Sequence, residues 1–387
     1  MDTQNTPVHI KLWHREFWMM ALANLLLMMS SYMLIPALPP YLTTQGLSAC
    51  QVGEIMGVYG LGVFAFGTFC SYLVQRYRRN HVCQFALLGT AFCIAVIYYL
   101  DFVLNVKLEF WVILLSRFAM GAFLGLAQMT LASTLIIDTC ESFKRTEANY
   151  TAAWFSRFAL SLGPVTSLLV YKWCNYETVL IVACALPIVA IVLISLIKFP
   201  FKAPSDTMSV FSLDRFFLPQ GFWLFLNLLM IMTVVGMLFT TQLSETFFSM
   251  LMVGFVVALL AEKYAFPDAD LKSEVITGLI VLGAAVLIDF THQKTANTMI
   301  SPAMIGFAVG IIGSRFLLFY LKLAKHCQRG TSQSSFFLSW ELGLSVGLFL
   351  GYVIPDKILP LSCILLVVSL IFYNFFVHGW FMRNKNR

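Results

Sequence analysis

Three charged residues stand in long apolar runs of this 387-residue sequence: Arg117, Arg157 and Glu341. An ion in the middle of hydrocarbon costs roughly 2.5–3.5 kcal/mol on insertion scales, so it faces a polar cavity and finds a partner. The two guanidinium groups would draw an anionic or polar part of a solute. The carboxyl of Glu341 would take up a proton or hold a cation. Neutral polar residues in similar runs, Asn24, Tyr32 and Gln128, would line a path beside them. A structural role competes in each case, because buried polar groups also tie membrane helices together. Arg315 lies nearer the end of its run, where its long stem would let the charge snorkel to the boundary.

Long helices must hold these residues. The chain is 59% hydrophobic and 11% charged, against about 25% charged in an ordinary soluble domain. Its apolar residues fall in runs close to the ~20 residues that a helix needs to cross a bilayer. Helices satisfy their own backbone hydrogen bonds, as lipid requires. Twelve spans are expected, over 18–38, 52–73, 82–100, 109–135, 147–171, 178–197, 221–240, 246–261, 274–290, 298–321, 331–353 and 358–380. In this frame Glu341 and Arg157 each lie ten residues into their spans, about 15 Å deep at the helical rise per residue. Pro36, Pro39 and Pro40 are expected to end the first span, and Pro164 to bend the fifth. The first span is too long for a signal-peptide core and no small-residue cleavage site follows it, so no cleavage is expected.

Basic residues orient the chain. With the N-terminus inside, 18 Lys and Arg fall in inner segments, among them Arg76, Arg78, Arg79, Lys325, Arg329, Arg383 and Arg387. Four fall outside: Lys107, Lys172, Lys294 and Lys357. This asymmetry places both termini in the cytoplasm. It also explains the net charge of +6 as anchorage at a lipid surface rather than a nucleic-acid footprint. The nine Cys form no CxxC pair and the six His are scattered, so no metal site is expected. A bond between Cys50 and Cys174 near the outer face is one option. No GxxxxGK[ST] loop, HExxH or nucleophile elbow occurs, which argues against ATP drive and enzymatic chemistry; no cofactor is expected.

One polar interval, 198–220, divides the chain into a half over 1–200, a cytoplasmic linker over 201–220 and a half over 221–387. The amphipathic end of the linker, Phe211 to Leu218, would lie along the membrane surface. The halves repeat each other. Arg145 precedes Arg157 by twelve residues and Gly163 by eighteen, as Arg329 precedes Glu341 and Gly347. Gly67 leads by eight residues to Gln75-Arg76-Tyr77, as Gly254 leads to Glu262-Lys263-Tyr264. The fold class is therefore an all-α membrane protein with twelve transmembrane helices in two pseudo-symmetric six-helix bundles, a known transporter plan.

On these features the sequence resembles the major facilitator superfamily across essentially its whole length. The segment from Gly67 through Gln75, Arg76, Arg78 and Arg79 looks like the family's signature between its second and third helices. Arg117, Gly121 and Gly125 are similar to its fourth-helix signature, and Gly163-Pro164 to the fifth-helix motif of its exporters. Gln75 stands where the signature has Asp and Arg78 where it has Gly. The resemblance implies an efflux-like branch, a bacterial inner membrane and a monomer. It implies alternating access, with a small organic solute exported in exchange for protons; uptake by proton symport is the alternative, and a membrane enzyme or sensor the remote one. It also implies a gate in which Arg76 and Arg79 bridge to an acid such as Asp138, with Glu262 and Lys263 as the second-half counterpart.

Overall fold

The computed structural model describes residues 12–105, 109–140, 144–199, 209–266, 270–291, 295–325 and 328–385. Lys107, Lys294, Arg387 and the first part of the linker fall outside the described residues. Among the described residues there are twelve spans, one of them broken: α1 Arg15–Thr44, α2 Ala49–Gly62 with Gly67–Arg76, α3 Arg79–Val103, α4 Phe110–Asp138, α5 Arg145–Trp173, α6 Tyr176–Ser195, α7 Pro219–Thr241, α8 Glu245–Tyr264, α9 Leu271–Asp289, α10 Ala296–Leu323, α11 Arg329–Val353 and α12 Pro355–Asn384. Three of the helices start where short polar side chains satisfy the first free N–H groups. Ser48 accepts from the Gln51 amide, Asn175 from Thr178 and Ser244 from Phe247.

Two expectations about helix shape need correction. Pro36, Pro39 and Pro40 do not end α1. A single turn at Met33 is followed by helix over Leu34–Thr44, with Pro36 in its first turn. The first-turn N–H groups have no intrahelical partner, so a proline there costs little. The second span is not continuous but bends by 45° between Gly62 and Gly67. Five glycines between positions 53 and 67 weaken the helix there. Pro164 lies within α5, which runs unbroken from Arg145 to Trp173.

Spans α1–α6 and α7–α12 form the two bundles. Burial separates centre from rim: the most apolar stretches of α1 and α10 are 78% buried, that of α12 only 28%. Phe92, Trp111 and Phe375 accordingly point outward, as side chains facing lipid do. The pseudo-symmetry shows in close backbone crossings. Gly121 of α4 meets the Tyr59 carbonyl of α2, and Gly306 of α10 meets the Leu251 carbonyl of α8. Gly163 lies on the Met29 carbonyl of α1, and Gly347 on the Thr233 carbonyl of α7. The α8–α10 crossing, however, makes Gly62 rather than Gly67 the counterpart of Gly254. The break in α2 inserts residues between them and shifts the register.

Candidate functional site

The end of the molecule that holds the N-terminus, Arg79 and Arg329 is called the basic end here, and the opposite one the far end. Between the bundles, midway along the helices, lie two polar centres. Glu341 of α11 is fully buried. Its Oε1 accepts from the Tyr32 hydroxyl of α1, and its Oε2 from the Tyr59 hydroxyl of α2 at 3.4 Å. A carboxyl of one bundle is thus held by two phenols of the other. The face of the Tyr59 ring carries the Arg117 guanidinium, 4.8 Å from its centroid. Arg117 is buried; its Nη1 reaches only the Met120 sulfur at 3.3 Å and its Nε has no partner.

Arg157 anchors the second centre. Its Nη1 donates to the Ser314 hydroxyl of α10 at 2.6 Å, across the bundle interface. Its guanidinium lies 4.6 Å from the Trp154 ring centroid, and its Nε and Nη2 are buried without partners. The Asn24 Nδ2 of α1 donates to Ser156 at 2.8 Å and to the Ala152 carbonyl at 3.0 Å, and the Gln128 Nε2 of α4 donates to Ser156 at 3.5 Å. The Asn24 and Gln128 side-chain oxygens and the Trp154 Nε1 are also buried and unpaired. Protein interiors leave few such groups unsatisfied, and a cluster of them calls for a specific explanation.

The structure brings Tyr32, Arg117 and Glu341 into one chain of contacts, and joins Asn24 and Gln128 through Ser156, the chain neighbour of Arg157 on α5. It does not pair Arg157 with Glu341. Trp340 and Arg157 flank Gly313 instead. Sequence reasoning missed Tyr59, Ser156 and Ser314, which carry no charge and sit among many similar residues. Arg315 does not snorkel. It forms an ion pair with Glu274 of α9, with side-chain exposures of 13% and 2%. A buried carboxylate within reach outcompetes the boundary, because an unpaired one costs several kcal/mol. Cys50 and Cys174 are both free thiols.

The interface is closed at both ends. At the far end Gly53 and Gly57 of α2 pack on Phe349 of α11, Ser161 donates to the Phe248 carbonyl at 2.6 Å, and Lys172 meets Glu245 at 3.1 Å. At the basic end Tyr150 of α5 donates to Glu262 of α8, and Gly330 of α11 packs on the Ser133 carbonyl of α4. Arg79 pairs with Asp138 inside the first bundle. Arg76 is exposed, Gln75 donates to Ser71 at 2.8 Å, and Lys263 lies over the Tyr264 ring.

The end of the linker adds a contact that overturns the surface-helix expectation. It docks beneath both bundles instead. Asp214 accepts from Ser71 of α2 at 3.3 Å and from Thr331 of α11 at 3.0 Å, so one carboxylate joins the two halves. The Arg215 amide donates to Thr331 at 2.8 Å and the Leu218 amide to Ser335 at 2.7 Å. The Phe216 ring fills the space over Gly67, where a Cβ would lie 2.0 Å from it. That buried niche, together with the two hydroxyl-bearing helix faces, offers the segment more than a lipid surface would. Arg215 has φ of +60°, a left-handed conformation that costs a non-glycine residue about 1–2 kcal/mol. Of these bonds only the pair on Asp214 joins the two bundles, so separation of the bundles at the basic end would break it. Asp214→Ala is therefore expected to favour opening there. In a Cys50→Ser, Cys174→Ser background, a cysteine introduced by Ser335→Cys should react with maleimide roughly tenfold faster when Asp214→Ala is added, consistent with loss of bonds to a charged group. An unchanged rate would show that the segment does not hold this end.

Relatives agree with this architecture. No curated protein matches the sequence. Among solved structures, the human organic anion transporter MFSD10 (TETRAN) superposes with a TM-score of 0.69 at 14% identity, over 96% of this chain and 98% of that one. An auto-inhibited POT family peptide transporter gives 0.67 at 12% identity, over 96% and 97%. The E. coli fucose:proton symporter gives 0.63 at 13% identity, over 93% and 98%. At such identities the likeness speaks for the fold alone. The sequence itself matches the family profile across residues 20–348, from α1 into α11, and the chain belongs to the Major Facilitator Superfamily.

Proposed function

We propose that this secondary transporter moves a small organic solute with an anionic group by alternating access, exporting it in exchange for protons. The observation that carries the reading is the pair of centres between the bundles: two buried arginines without a carboxylate partner, and one buried carboxyl without a cationic partner, among the described residues. Arg117 and Arg157 would hold the anionic group, and Asn24 and Gln128 its polar substituents. Glu341 would take and release the proton, with Tyr32 and Tyr59 following its state across the interface. Contacts at both ends then act as gates that must open in turn. Tyr150–Glu262 and the Asp214 bridge would serve the basic end, with Gly67, Gln75, Arg76, Arg79, Asp138 and Lys263 around them. The Gly163-Pro164 packing on α1 would serve the far end and is the feature that favours export. In this reading the halves over 1–200 and 221–387 rock about the linker over 201–220. The chain works as a monomer in a bacterial inner membrane with both termini in the cytoplasm, as the basic residues imply.

The first structural neighbour is an organic anion transporter by name, which fits the arginines. Another is a fucose:proton symporter, so proton-driven uptake is the second reading. A stabilisation screen on purified protein tests the solute class, since a ligand that binds only the folded state raises its stability by mass action. Organic anions should raise the unfolding midpoint by about 3 °C or more at saturating concentration. Arg117→Gln and Arg157→Gln should each abolish that shift. A shift retained in both variants, or none with any organic anion, would count against the reading.

A further inference from the structure

The far end holds a cavity of about 640 Å³ that the central site does not use. Its walls come from Pro40 and Tyr41 of α1, Phe102 at the end of α3, Tyr171 of α5, and Tyr176 and Glu177 at the start of α6; Leu243 of the second bundle closes one side. Four of the wall residues are aromatic: Tyr41, Phe102, Tyr171 and Tyr176. Tyr41 and Tyr176 stack with centroids 3.9 Å apart, and Phe102 lies 6.3 and 6.2 Å from them. Two carboxylates stand beside the rings. Asp101 accepts from the Tyr41 hydroxyl, and Glu177 accepts from the Tyr98 hydroxyl at 3.1 Å. Phenols leave the negative charges uncompensated. Among the described residues neither acid is in an ion pair, and no Lys, Arg or His lines the cavity. Lys172, at the nearby end of α5, is engaged with Glu245 instead. The Tyr176 hydroxyl is buried without a partner, on a residue only 5% exposed.

We propose that this cavity is a second binding site, for an organic ammonium ion with an apolar body. Ring faces attract a cation through their quadrupoles, and most of all an alkylated ammonium that gives up little hydration. Glu177 in the wall, and Asp101 on the hydroxyl of Tyr41, add the opposite charge. A few polar groups in an otherwise apolar, concave wall are the ordinary composition of a small-molecule site. Neither Arg117 nor Arg157 lines the cavity, and its charge is opposite: it repels the anions that the central arginines draw. It would capture cationic amphiphiles at the far mouth, whether as cargo or as effectors that bind there.

Benzyltrimethylammonium is a suitable probe, with benzyl alcohol as the neutral control and phenylacetate as the anionic one. On the intact chain in detergent, calorimetry should show the cation binding at least tenfold tighter than either control. Asp101→Asn and Glu177→Gln should each weaken it about tenfold. Cys174 lines the same cavity and is a free, exposed thiol. In a Cys50→Ser background the probe should slow maleimide labelling of Cys174 at least fivefold, a readout that needs no variant of the acids to fold. Equal binding of all three compounds, full affinity in both acid variants, or unprotected Cys174 would overturn the proposal. Because the readouts are cation binding and protection of Cys174 rather than stabilisation by anions, failure here is distinguishable from failure of the central anion site.

Discussion

Glu341→Gln should uncouple the transporter. The variant is expected to fold and to exchange labelled for unlabelled solute at close to the wild-type rate. It should lose accumulation driven by a pH gradient by about a hundredfold or more. The argument rests on what surrounds the carboxyl. Its partners are two phenols from the opposite bundle and no cation. Burying an ionised carboxylate without a cation costs several kcal/mol, so the charged form is tolerated only if the site opens to water or a cation approaches. A proton that must be gained before closure and lost after opening couples the conformational cycle to the gradient. Glutamine keeps the shape and an acceptor for Tyr32, but has no proton to release. A variant that still accumulates solute against a gradient would remove Glu341 from the mechanism.

The second large effect is on the fold. Gly254→Val should cost about 3 kcal/mol or more, at the upper end for overpacked cores, and little folded protein should be recovered. A Cβ at Gly254 would lie 2.1 Å from the Ala303 carbonyl and 2.7 Å from the Phe307 amide. The contact is reciprocal, since a Cβ at Gly306 would lie 2.1 Å from the Leu251 carbonyl. These neighbours are helix backbone and cannot rotate away, so α8 and α10 would have to separate along their length. Gly283→Val in α9 is the control, because no atom lies within 4 Å of its Cβ position. Its unfolding midpoint in detergent should stay within a few degrees of wild type. Equal losses in the two variants would mean that glycine acts there through helix propensity rather than close approach.

Both effects depend on features that the sequence exposes unequally. The span count is legible because a bilayer demands long apolar runs whatever packs against them. The depths of Arg117, Arg157 and Glu341 are legible for the same reason, since a charge in such a run is conspicuous. Their partners are not. A helix that is apolar all round has no period from which to read which face meets which neighbour, so Tyr59 looks like any other aromatic and Glu274 like the boundary residue that opens its span. The register of the fifth and eleventh spans survives because both halves cross there on a glycine. The register of the second and eighth does not, because the break after Gly62 leaves no mark beyond an excess of glycine. Asp214 illustrates the same limit in a loop. Its side chain gains meaning only when folding brings Ser71 and Thr331 to it from helices more than a hundred residues apart.

The central claim is that a proton gradient across the membrane moves an organic anion through this chain. Flux into proteoliposomes of known orientation, with an imposed pH gradient and no nucleotide, tests it most directly. For an anion identified by the stabilisation screen, the account predicts accumulation against its own concentration gradient on the more acidic side, with the sign inverted when the pH gradient is inverted. Accumulation on the alkaline side would establish symport in place of exchange. Equilibration to equal concentrations under either gradient would contradict the account.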